Sequence, residues 1–195
     1  MKLHDLQEKL AQLKYFTPFD IKMFAKLTDG SIRKIIWRYT KKGIFVKLRN
    51  NLYMFKNNEK PSLWRLANRI YGPSYISFET ALSYYGIIPE TVYAITSATS
   101  KITRNFIVLD NEFAYKKIKI EAFTGYRAVK IDNETVLVAE PEKALADYLY
   151  FVHLKKSSLN ERLRTKKISK SVFYTYIKIF HNESFSKWVH SVNVI

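Results

Sequence analysis

The sequence predicts an α+β fold in two parts, and three observations carry that prediction. Residues 31–55, SIRKIIWRYTKKGIFVKLRNNLYMF, read as a helix that is basic on one side and apolar on another. Gly43 halts it, and a two-stranded ribbon with a basic, asparagine-rich tip follows. Beyond Pro61, short runs of β-branched and aromatic residues alternate with helical periodicity. Charge is also segregated. Of the net +16, residues 1–60 carry 14 Lys/Arg against 5 Asp/Glu, residues 61–154 carry 10 of each, and residues 155–195 carry 9 against 2. Together these place an N-terminal winged helix-turn-helix at 1–57, then a mixed α/β domain with a basic helical C-terminal tail at 62–195.

The elements follow in order. Leu3, Leu6, Leu10 and Leu13 recur at three- and four-residue spacing, predicting a first helix over 2–14. Thr17 as cap, Pro18 at the first helical position and Asp20 in the first turn predict a second helix from Pro18 to Lys26, with Ile21, Phe24 and Ala25 inward. Leu27-Thr28-Asp29-Gly30 is the turn, with Asp29 or Ser31 able to cap the third helix. Ile44–Leu48 and Leu52–Phe55 are the ribbon strands, with Arg49-Asn50-Asn51 as the tip. The polar run Lys56-Asn57-Asn58-Glu59-Lys60-Pro61 is the linker.

After it come a helix over Ser62–Tyr71 broken by Gly72-Pro73, and a helix capped by Ser77, lined by Ala81, Leu82 and Tyr85 and ended by Gly86. Strands are expected at Val92–Thr99, Asn105–Leu109, Ala114–Phe123 and Val129–Val138, the last interrupted by a turn at Asp132-Asn133. Pro141 opens a helix running to about Leu154. The tail predicts helices at Ser157–Arg164, Lys170–Phe180 and Glu183–Val192. Within it Phe173, Tyr176, Ile177 and Phe180 have core spacing.

At about 100° per residue, Ile32, Ile35, Ile36 and Tyr39 share one arc of the third helix, while Ser31, Lys34, Arg38 and Lys41 share another. The second arc is free to enter a major groove of double-stranded DNA, where Arg pairs bidentately with guanine. Arg33 and Lys42 flank it toward phosphates. Lys47, Arg49, Asn50 and Asn51 are the wing contacts, an Arg there gaining from a narrow, negative minor groove. The competing readings are a solvated basic helix and a hairpin that only supports the fold. The turn before the helix and the ribbon after it weigh against the first.

Composition narrows the chemistry. No cysteine means no disulfide, thiolate metal site or cysteine nucleophile. The histidines at 4, 153, 181 and 190 form no close-spaced ligand pair, and the five glycines make no phosphate-cradling loop. Glu140, Glu142 and Asp147 suit a helix start and an i,i+4 pair with Lys143 better than acid–base work. Asp110 and Glu121 could begin a magnesium-holding nuclease triad, but Phe123 stands where its lysine belongs. No enzyme activity, cofactor or metal is expected. No run of eighteen apolar residues occurs and the N-terminus lacks a signal-peptide core, so a cytoplasmic protein off the membrane is expected.

Two further segments carry a family resemblance. YISFETALSYYGIIPETVYAITSAT, Tyr75 to Thr99, and VLVAEPEKALADYLY, Val136 to Tyr150, resemble segments of the AbiEi antitoxins of bacterial abortive-infection systems. The order of parts is similar too, though the tail offers no motif. The resemblance implies a DNA-binding antitoxin that represses its own toxin–antitoxin operon as a phage-defence component. Its operator would be an inverted repeat, and it would counteract a nucleotidyltransferase toxin without a stable complex. A stand-alone winged-helix regulator, or an interaction module that grips the toxin directly, are the alternatives. Within the first segment, Ser77, Glu79 and Thr80 serve either as a helix cap with its neighbours or as part of an antitoxin surface.

Overall fold

The computed structural model describes residues 3–10, 13–192 and 194–195. The architecture is mixed α+β, and the chain divides into two compact units, Met1–Pro61 and Ser62–Ile195.

The first unit comprises α1 (Leu3–Leu10), α2 (Pro18–Ala25), α3 (Asp29–Lys41), β1 (Phe45–Arg49) and β2 (Leu52–Phe55). The helix expected over 2–14 spans Leu3–Leu10 among the described residues. Its residues Lys2, Ala11 and Gln12, and the side chain of Leu3, lie outside the described residues, while Leu13 and Lys14 are not helical. The start of α2 is a reciprocal cap. The Thr17 hydroxyl accepts from the Asp20 amide and the Asp20 carboxylate accepts from the Thr17 amide. α3 corrects the expected cap: Thr28, not Asp29 or Ser31, accepts from the Ser31 amide at 3.3 Å. Asp29 instead becomes the first helical residue and pairs with Lys22 at 2.8 Å. Gly43, at φ +67°, ends α3 in a left-handed conformation that favours glycine.

Leu6, Leu10, Phe16, Ile21, Ile32, Ile36, Tyr39, Phe45 and Phe55 form one core. Phe16 sits at its centre, 4.9 Å from Phe45 and 5.3 Å from Phe55 between ring centroids. The residue also binds Tyr53 through two backbone hydrogen bonds, 2.7 and 2.9 Å, adding a one-residue third strand to the β1–β2 ribbon. Phe24, expected to face inward, is 45% exposed. α2 turns its Ile21–Ala25 side to the core, and Phe24 lies about 60° round the helix from Ile21.

The second unit contains α4 (Leu63–Ile70), β3 (Ser74–Ile76), α5 (Phe78–Tyr84), β4 (Ile95–Thr99), β5 (Arg104–Val108), β6 (Asn111–Lys117), β7 (Tyr126–Ile131), β8 (Glu134–Ala139), α6 (Pro141–His153), α7 (Lys170–Lys178) and α8 (Glu183–Val192). Its six strands are ordered β5-β6-β4-β3-β8-β7. The pairs β4–β6 and β3–β8 are parallel and the others antiparallel. Side-chain alternation assigns the faces. Ile76, Ser97 and Tyr115 are register partners, and the Tyr115 hydroxyl donates to the Ala67 carbonyl of α4. Tyr75 and Thr96 point the other way, to Asp147 of α6 and Thr80 of α5.

Several expectations are corrected here. β3 is a strand over residues that the sequence pattern leaves unassigned. β4 starts at Ile95 rather than Val92, and Tyr93 is almost wholly exposed. β6 begins at Asn111, because Leu109 and Asp110 form the two-residue turn of a hairpin with β5, and it stops at Lys117. The 129–138 run is two strands, with Asp132 and Asn133 both left-handed between them. No helix forms over 157–164, because that backbone is committed elsewhere. Tyr148 donates to the Ser158 carbonyl and accepts from the Asn160 amide, and the Arg164 amide donates to the Ile87 carbonyl. Among the described residues no helix is long and apolar enough to cross a membrane.

Candidate nucleic-acid interface

α3 has thirteen residues, and helical spacing sorts them into faces. Ile32, Ile36 and Tyr39 are buried and Ile35 is half-buried, as the apolar arc requires. The remaining surface is not one basic face but two. Arg33, Trp37 and Lys41, each four residues apart, border a groove shared with Lys47, Asn50, Asn51 and Tyr53 of the ribbon and Pro18 of α2. Its volume is about 600 Å³, and no carboxylate lines it. Lys34 and Arg38 are exposed on α3 but border no part of this groove.

The expected contact residues therefore separate. Arg33, placed at the flank, lies in the groove with Lys41 and Lys47. Ser31 is half-buried and held in the helix start, its hydroxyl 3.0 Å from that of Thr28. Arg38 folds over its neighbour: its guanidinium carbon is 4.9 Å from the Tyr39 ring centroid, and it donates to the Tyr39 hydroxyl at 3.3 Å. Lys42 is the exposed C-cap. Arg49 is not at the tip: it ends β1 opposite Leu52, half-buried, with a bulge between it and Lys47. The tip is Asn50-Asn51 alone, with Asn51 at φ +61°. Sequence reasoning missed Trp37, 65% exposed between Arg33 and Lys41. Its i,i+4 spacing to both cations was the available signal. At the base of α3, the Lys22 hydrogen bond, and then its charge, hold the Asp29 carboxyl below its ordinary value.

In the second unit Glu140, Glu142 and Asp147 are engaged structurally. Glu140 accepts from the Tyr176 hydroxyl at 2.7 Å, and Glu142 from the Ser169 amide at 3.0 Å. Asp147 is wholly buried. It pairs with the equally buried Lys143 and accepts from the Tyr75 hydroxyl at 3.0 Å and the Ser77 hydroxyl at 2.7 Å. Ser77 precedes α5 as expected but spends its hydroxyl on Asp147 rather than on the helix start. Burial pushes the Asp147 carboxyl up and the Lys143 ammonium down, while their mutual attraction opposes both shifts. Among the described residues no group of three or more His, Asp or Glu is placed to hold a metal.

No family model matches the chain, and no curated protein matches its sequence.

Proposed function

We propose that this is a winged helix-turn-helix DNA-binding regulator in which α3 is the recognition helix and the β1–β2 ribbon is the wing. The observation that carries this reading is the groove in which Arg33 and Lys41 of α3 and Lys47 of the ribbon converge with Asn50 and Asn51. Three cations from two elements, unopposed by any lining carboxylate, suit one sugar-phosphate strand of a duplex. The Phe16 bridge to Tyr53 supports the same reading, since it ties the chain between α1 and α2 to the ribbon.

The narrower proposal is an antitoxin, acting in the cytoplasm without enzyme activity, that represses its own operon and counteracts a nucleotidyltransferase toxin. It rests on the resemblance of residues 75–99 and 136–150. These segments meet through Tyr75 and Ser77 on one side and Lys143 and Asp147 on the other. A second reading, an interaction module for a protein partner, is favoured by one feature: Phe19, Met23 and Phe24 of α2 are all exposed.

Binding to the chain's own promoter DNA across a salt series tests the first reading. Each phosphate contact contributes about 0.9 to the slope of log K against log salt. Changing Arg33, Lys41 and Lys47 together to Ala should flatten that slope by roughly 2–3. A folded triple variant with the wild-type slope would remove the groove from the interface.

A further inference from the structure

The two edges of the six-stranded sheet are built differently. β7 carries Arg127 and Lys130 along its six residues, and charged side chains protect a strand edge from pairing. β5, at the other edge, carries one charge, Arg104 at its start, followed by Asn105, Phe106, Ile107 and Val108. The two-residue turn at Leu109-Asp110 closes on the Val108–Asn111 pair, so Arg104, Phe106 and Val108 direct their backbone groups to β6. Asn105 and Ile107 direct theirs outward, where no strand lies beyond them among the described residues. The Ile107 side chain is 81% exposed, and Ile102, just before the strand, is also exposed.

We infer that β5 is a dimerisation edge, pairing antiparallel with β5 of a second copy of this chain about a two-fold axis at Phe106. Charge decides for a second copy. In this register Asn105 exchanges both backbone hydrogen bonds with Ile107 of the second copy, and Arg104 lies opposite its Val108, so no like charges meet. Antiparallel self-pairing of β7 in any central register brings Arg127 or Lys130 opposite or diagonal to its own counterpart. The pairing makes one continuous sheet across two copies, an isologous contact that closes on itself. It stands independently of DNA, although a two-fold dimer carries two copies of α3, as an inverted repeat requires.

Sedimentation equilibrium of the full chain over a wide concentration range reads the pairing directly. Wild-type protein should be a dimer. Ile107→Lys, which places like charges near the axis, and Ile107→Pro, which removes an outward amide that β6 does not use, should both be monomers with unchanged circular dichroism. The chain has no cysteine, so the register can be read by cross-linking. An equimolar mixture of Asn105→Cys and Ile107→Cys chains should form a disulfide-linked dimer on mild oxidation, and neither alone should do so. A monomeric wild type at every concentration, or a dimer that survives both Ile107 substitutions, overturns the inference. DNA binding by the monomeric variants, weakened or not, separates this result from the fate of the regulator reading.

Discussion

Lys143 and Asp147 hold a full charge pair out of contact with water, and such a pair is sensitive to losing one member. Lys143→Met would leave Asp147 buried with two hydroxyl donors and no cation. We expect it to cost about 3–5 kcal/mol, measured by urea unfolding. The second consequence at this scale concerns tyrosines. Burial raises the hydroxyl pKa of Tyr75, Tyr85, Tyr148 and Tyr176, and for Tyr176 the Glu140 hydrogen bond adds to it. In the unfolded chain these groups ionise near the ordinary value of about 10. Above that pH the unfolded state holds fewer protons than the folded one, so stability, complete below it, is lost as pH rises. Melting temperature should fall above about pH 10, and Tyr176→Phe should lessen the fall. The i,i+4 spacing of Lys143 and Asp147 was legible in the sequence. Their burial was not, because charged residues ordinarily mark a surface. The signal was the apolar run through 144–151, which covers α6 on nearly every side.

Among elements, α3 was the most legible, and its facing was the least. Spacing located its buried arc, and Gly43 its end. Which basic stripe borders the ribbon depends on how β1 and β2 dock, a non-local matter settled by Phe16, Phe45 and Phe55. Spacing alone therefore does not say that Arg33 and Trp37, rather than Lys34 and Arg38, border the ribbon. Residues 157–164 failed for a related reason: their local preference was helical, but Glu90 draws Asn160 and Arg162 across to another loop. The cap of α3 offers a clean test at this scale. Thr28→Ala should cost roughly 0.5–2 kcal/mol of the first unit's stability. Ser31→Ala should cost less, because it spares the bond from the Ser31 amide. Thermal melts of the two variants, side by side, decide between Thr28 and the cap read from sequence.

At the scale of the molecule, each unit has its own buried aromatic residues: Phe16 in the core of the first, and Phe113 and Tyr115 in the second. Separate cores predict separate cooperative transitions. Phe16→Ala and Phe113→Ala each remove a buried ring, worth about 3–5 kcal/mol. Calorimetry should resolve two transitions, with each substitution lowering one and sparing the other. A single transition lowered equally by both would mean that the units unfold as one. The α+β class and most helix boundaries were readable from periodicity and punctuation. The sheet order was not, since no local pattern tells β3 that its neighbours are β4 and β8.

That order bears on how the chain comes to be folded. In the first unit, the bond from Phe16 to Tyr53 joins residues within one short stretch of chain. In the second, Tyr75 must find Asp147 72 residues later, and Leu137 must find Asn68 69 residues earlier. Loops of that length close slowly, and the inner strand β3 stays unpaired on one side until β8 arrives. Synthesis runs from the N-terminus, so α3 and its ribbon take shape while the later sheet is still unmade. A growing chain thus holds its cationic groove ready before the second unit is complete.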